Sequence, residues 1–211
     1  MNGWRALAMA PLMALLVVTP VLAQDEAPPP RRVLPDECQA EPRTFEEISA
    51  LLALDGEGIP APAMTVLSPP LGELADAATA TAIADAARQV IACFNAGDIP
   101  RATGLMTDNG VQRVYWGLAA DEENRALARE RIPAAPEPRD EAFLARLLAV
   151  TDVSMLPEGR VAAFVVISEP LLPPGGPETL LFIFANQDGQ WLLDDLVDFT
   201  VTPVITTEEA S

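Results

Sequence analysis

A change of hydrophobic pattern near Leu147 is the feature that most constrains how this 211-residue chain folds. Before Leu147, apolar residues recur at helical spacing, most clearly between Asp76 and Ala96. After it, apolar runs of strand length alternate with turn signals such as Asn186 to Gly189. Helices followed by a meander of four strands predict an α+β domain, in which a helical layer covers an antiparallel sheet.

Capping residues and helix breakers predict where the elements begin and end. Thr44 and Glu47 match a capping box, Gly97 ends the longest helix, and Asp98 with Pro100 starts another. The predicted helices are 45–54, 76–96, 98–106 and 111–118, with a loop at 55–73, a turn at 107–110, and a solvated helix or loop at 121–131. The predicted strands are 147–156, 160–168, 179–185 and 190–201.

The N-terminus has the three parts of a secretory signal. Arg5 is followed by an uncharged apolar run, and small residues precede Gln24. We expect cleavage after Ala23, export to the cell envelope or medium, and no stable membrane span afterwards; an uncleaved anchor is the alternative. The predicted regions are a signal peptide (1–23), a Pro-rich spacer (24–43), a short helix and loop (44–73), the α+β domain (74–201) and a flexible tail (202–211).

The charged residues exclude several kinds of chemistry. The chain has 31 acidic residues, 13 arginines, no lysine and no histidine, for a net charge of −18. Histidine-dependent triads and histidine-ligated metals are therefore impossible, and the acidic field repels nucleic acid. The acidic runs at 121–123 and 194–198 lack the spacing of a calcium loop and predict a solvated face. We expect no cofactor and no metal.

Two cysteines, Cys38 and Cys93, remain in the exported chain. An even number of cysteines in an oxidising compartment favours a disulfide between them. The alternative is a pair of buried free thiols.

Two motifs resemble the nuclear-transport-factor-2-like superfamily. Residues 92–98 and 104–108 are similar to the family's first long helix with its "N-x-G-D" turn and following "L-F-T-D" segment. Residues 188–194 are similar to its closing hairpin, "D-G-x-W-x-I". The resemblance covers about 74–200 and implies a cone: a curved sheet wrapped around a long helix, with a pocket at the open end. The family includes isomerases, cyclases, epoxide hydrolases, dehydratases and members without known activity.

The last strand contains the candidate catalytic acid. By alternation, Trp191, Leu193, Asp195, Val197 and Phe199 share one apolar face, which we expect to point into the cone. A carboxylate at Asp195 would then have a raised pKa and could act as a general acid or base. A bulge that turns Asp195 outward, or a partner arginine, is the alternative.

Three aromatic residues and one arginine are candidates for the mouth of the pocket. Arg113, Tyr115 and Trp116 lie in one short helical run, and Trp191 begins the last strand. Tyr115 could donate a hydrogen bond to a substrate carbonyl or phenol. Ordinary packing with one wet edge is the other interpretation.

These features leave three hypotheses of function. The first is a non-catalytic exported domain that binds a small apolar ligand or a partner protein in the cone. The second is a carboxylate-based isomerase or cyclase that uses Asp195 and Tyr115. The third is a structural homodimer formed through the sheets.

Overall fold

The computed structural model describes residues 32–62, 72–168 and 177–198. This part of the chain is α+β, with an open sheet of five antiparallel strands that follow one another in chain order. The α-helices are α1 (Phe45–Leu52), α2 (Ala77–Ala96), α3 (Ile99–Gly104), α4 (Asp108–Tyr115) and α5 (Glu122–Arg131). The strands are β1 (Glu73–Leu74), β2 (Arg146–Met155), β3 (Val161–Ser168), β4 (Pro177–Gln187) and β5 (Gln190–Asp198).

The predicted caps are present at α1 and α2. The Thr44 side chain accepts a hydrogen bond from the Glu47 amide, and the Glu47 carboxylate accepts one from the Thr44 amide. The Thr44 amide and hydroxyl both donate to the Glu47 carboxylate and hold the pKa of Glu47 below its ordinary value. Gly97 ends α2 with a φ of 63°, a left-handed conformation that glycine adopts without a steric penalty. Local capping therefore positions both helices.

The segment around Thr107 differs from the prediction. We expected a turn at 107–110, but Thr107 is the N-cap of α4 and its side chain accepts a hydrogen bond from the Gly110 amide. The same polar residues that favour a turn also favour a helix start, because both conformations use side-chain caps. α3 also ends at Gly104, two residues before the predicted end.

The sheet contains one strand that the sequence did not predict. β1, in a segment predicted to be loop, pairs with Ser154 and Met155 at the end of β2. A two-residue strand has no alternation to detect, and its partner lies about eighty residues further along the chain. The four strands β2 to β5 form the predicted meander.

The two faces of the sheet differ in what covers them. α2 packs on the inner face, and the main core lies between them; its members include Ile83, Ala87, Val90, Val165, Phe182 and Phe184. Residues of opposite phase form a smaller cluster on the outer face, with Leu156, Ala162 and Leu181 buried and Phe164, Ile183 and Val197 half-buried. Alternation along β3 and β4 separates the two clusters.

The segment before α1 packs against the domain, whereas we expected a spacer without core contacts. Cys38 forms the predicted disulfide with Cys93 of α2. Val33 is fully buried, and Asn95, also fully buried, donates hydrogen bonds to the carbonyls of Val33 and Ala145. This segment is therefore part of the domain from Arg32 onward.

Several predictions concern residues outside the described part of the chain. They are the signal peptide, the tail at 202–211 and the position of Phe199. Among the described helices, none combines the length and the apolar character needed to cross a bilayer.

Candidate functional site

The candidate site lies where α4 meets β5, an edge strand of the sheet. The Thr107 amide donates to the Leu193 carbonyl at 3.0 Å, and the Leu193 amide donates to the Leu105 carbonyl at 2.9 Å. Gly110 permits this approach, because a Cβ atom there would lie 2.1 Å from the Leu193 carbonyl oxygen. Backbone pairing therefore places α4 against the strand that carries the candidate acid.

A β-bulge reverses the predicted orientation of Asp195. Leu193 pairs with Phe184 and Asp195 pairs with Ile183, so that Asp194 is an extra residue without a partner in the register. Ile183 belongs to the outer cluster, and directly paired residues point to the same face. The prediction that Asp195 shares the face of Leu193 and points inward is therefore wrong. Val197 likewise lies on the outer face, and Leu196 takes the inward position.

Both aspartates at the bulge are held by several donors. The Arg113 Nε donates to Asp195 Oδ1 at 2.6 Å, and the same oxygen accepts from the Leu196 amide at 2.8 Å. Asp194 accepts from the Thr107 hydroxyl at 2.7 Å and lies 3.5 Å from an Arg160 guanidinium nitrogen. The side chains of the two aspartates are only 19% and 15% exposed. Each of the two carboxylates thus has a guanidinium group and a second donor within hydrogen-bonding distance.

A cleft of about 330 Å³, here called the α4 cleft, lies beside this ion pair. Its apolar side is formed by the loop after α1, through Ile59, Pro60 and Pro62, and its polar side by Asn109, Gln112 and Arg113 of α4. The Asn109 side chain donates to the Asp194 carbonyl at 2.7 Å, and the Gln112 side chain donates to the Leu51 carbonyl at 3.1 Å. The amides are thereby oriented by the backbone of two different elements.

Arg113 is the one sequence-predicted pocket residue that lines the α4 cleft, and it joins Asp195 there. Sequence reasoning assigned 59–62 to a plain loop and missed Asn109 and Gln112. The available signal was the Ile-Pro-Ala-Pro run, since prolines hold a chain extended and leave a rigid apolar surface.

Tyr115 lies away from Asp195. Residues two apart on a helix do not share a face, and the Tyr115 ring packs 6.3 Å from the Phe94 ring of α2. Desolvation of the half-buried side chain, with a smaller contribution from the Asp98 carboxylate, raises the pKa of Tyr115 well above its ordinary value. The Tyr115 ring thus contributes to packing between α4 and α2.

The two tryptophans occupy different environments. Trp191 is half-buried and packs against the main core, so its ring supports the inner face of β5. Trp116 is 37% exposed and follows α4 directly, in a 3₁₀ turn over Trp116–Ala119. Neither residue lines the α4 cleft.

The chain matches no family model, no curated protein and no solved structure. Within 32–62, 72–168 and 177–198, no three acidic or cysteine side chains come together in a group that could hold a metal ion. The α4 cleft thus offers a ligand apolar contact, two side-chain amides, and an arginine whose charge is balanced by Asp195.

Proposed function

We propose that this protein is an exported, non-catalytic binding domain that holds a small ligand or a segment of a partner protein in the α4 cleft. The proposal includes the nuclear-transport-factor-2-like cone, with the sheet curved around α2. The disulfide between Cys38 and Cys93 supports export, because such bonds persist in oxidising compartments. The long helix on an antiparallel meander supports the fold assignment.

The composition of the α4 cleft is the observation that carries the proposal. Its volume of about 330 Å³ falls within the range of small-molecule sites. Ile59, Pro60 and Pro62 offer apolar contact, and the amides of Asn109 and Gln112 offer directional hydrogen bonds. This mixture suits a ligand that combines a ring or short aliphatic group with an amide, whereas the sequence led us to expect a small apolar ligand or a partner protein.

The acid–base alternative has less support. Proton transfer by a carboxylate requires that its oxygens be free to reach a substrate. Asp195 instead pairs with Arg113, and Tyr115 lies on another side of α4. The enzyme hypothesis needs Asp195 and Tyr115 to act together, but Asp195 contacts Arg113 and Tyr115 contacts Phe94.

A fragment screen by ligand-observed NMR tests the proposal. We expect aromatic carboxamides and prolyl amides to bind the wild type, and Gln112→Trp to abolish binding by filling the cleft. Gln187→Trp, at the exposed β4–β5 hairpin, is the matched control and should bind as the wild type does. Equal binding by both variants, or no binding to the wild type, would overturn the assignment of the α4 cleft.

A further inference from the structure

A second groove, here called the α1 groove, runs along α1 and shares no lining residue with the α4 cleft. It has a volume of about 320 Å³. Its apolar surface comes from Phe45, Ala50 and Ala53, and its charged groups are the carboxylates of Glu46 and Asp55. Glu46 lies in the first turn of α1 and Asp55 lies three residues after its end, so the two acids bracket the apolar surface.

The groove carries negative charge that nearby arginines do not balance. Arg125 and Arg129 of α5 donate to the backbone carbonyls of Glu57 and Leu54, and both also bind the Glu122 carboxylate. Arg43, just before α1, is turned to Asp108 at 2.7 Å. The lining residues of the groove thus include two acids, Glu46 and Asp55, and no arginine, and the whole chain has a net charge of −18.

Asp55 is held in place on the groove. The Ser49 side chain, in a residue only 6% exposed, donates to Asp55 Oδ2 at 3.1 Å. The backbone before and after Asp55 is also held, because Arg129 donates to the Leu54 carbonyl and Arg125 donates to the Glu57 carbonyl. A carboxylate positioned in this way loses less conformational entropy on binding a cation than a free surface acid does.

We propose that the α1 groove binds a basic, partly apolar segment of a partner protein. The apolar side chain of such a segment would contact Phe45, Ala50 and Ala53, while its arginine or lysine side chains would pair with Glu46 and Asp55. Charge complementarity selects this partner over an acidic one and accelerates the encounter at low salt.

The experiment is fluorescence anisotropy with a labelled, end-blocked peptide of alternating leucine and arginine. The wild type should bind it, with affinity that falls as salt is added, and should not bind the same peptide with glutamine in place of arginine. Glu46→Gln with Asp55→Asn should weaken binding about three- to tenfold, as expected for two exposed ion pairs. Ala50→Phe should weaken it at unchanged charge by filling the groove.

The matched control is Asp85→Asn with Glu130→Gln, which removes two exposed carboxylates outside the groove lining. Its affinity should stay within about twofold of the wild type. An equal loss in the control would assign binding to the general acidic field and overturn the proposal. Wild-type binding of neither peptide, or full binding by Ala50→Phe, would overturn it as well. Thermal unfolding of each variant verifies that it is folded.

Discussion

Among single residues, Asp195 shows how an arginine partner gives a carboxylate a structural role. Its carboxylate accepts from Arg113 and from the Leu196 amide, and the residue lies on the outer face of β5. The arrangement ties α4 to the strand across a sequence separation of 82 residues. Asp195 thus anchors to β5 the helix that forms the polar side of the α4 cleft.

The first prediction concerns this ion pair. Asp195→Asn should lower the free energy of unfolding by about 1–2 kcal/mol, because a partly buried arginine loses its charged acceptor. Urea unfolding monitored by circular dichroism measures the change. Asp188→Asn is the control and should be neutral, since asparagine tolerates the left-handed conformation at that turn, where φ is 53°. No loss of stability in Asp195→Asn would show that the pair is energetically unimportant.

The second prediction concerns Tyr115, the single tyrosine of the chain. Its pKa is raised in the folded state, so the folded protein retains the phenolic proton that the unfolded chain loses near pH 10. The stability contributed by Tyr115 is present below about pH 10 and is lost as the pH rises above that value. The urea concentration at the midpoint of unfolding should therefore decrease as the pH is raised from about 9 to about 11.

Tyr115→Phe provides the control for this pH dependence, because phenylalanine keeps the ring and has no proton to lose. Its stability should change less over the same range. The phenolate absorbance of the wild type should appear only with unfolding. A phenolate that forms near pH 10 in the folded protein would contradict the raised pKa of Tyr115.

At the scale of elements, the contact between α4 and β5 depends on the absence of a side chain at Gly110. Gly110→Ala should destabilise the protein by about 1–3 kcal/mol, the usual cost of overpacking, because its Cβ would collide with the Leu193 carbonyl. Gly117→Ala, only seven residues along the chain, meets no atom within 4 Å. It should be neutral or stabilising by up to about 1 kcal/mol.

Chemical denaturation of both glycine variants measures this contrast. Ligands of the α4 cleft should also bind Gly110→Ala more weakly, since Asn109 and Gln112 would move with the helix. Equal stability of the two variants would mean that α4 shifts away from β5 without cost.

At the scale of the whole molecule, the disulfide joins the segment before α1 to the long helix. The bridge closes a loop with a sequence separation of 55 residues. On the chain-entropy account, its loss costs roughly 4 kcal/mol of the free energy of unfolding. Reduction, or Cys38→Ser with Cys93→Ser, should lower the urea midpoint accordingly.

The doubly substituted protein serves as the control for reduction, because a reductant should not change its unfolding. A reduced wild type as stable as the oxidised protein would show that the other contacts of the segment suffice. Those contacts include the ion pair between Arg88 and Glu37 at 2.7 Å and the hydrogen bonds of Asn95.

Features that depend on neighbours in the chain follow directly from the order of the amino acids. The α+β class, the extent of α2 with Gly97 at its end, the capping box of α1 and the order of the meander all follow from periodicity and local hydrogen bonds. The cysteine pair followed from composition, because only one intramolecular disulfide was possible.

Features that depend on residues far apart in the chain arise only from long-range packing. The bulge at Asp194 arises from pairing between β4 and β5, and one extra residue there turns Asp195 to the outer face. The α4 cleft combines a loop with a helix about fifty residues away, so no local pattern identifies it. Alternation predicts the direction of a side chain only where the register of the strand is unbroken. The packing of α4 and the 59–62 loop depends on contacts between distant parts of the chain. For these two reasons the elements were largely predictable from the sequence, whereas the site was only partly so.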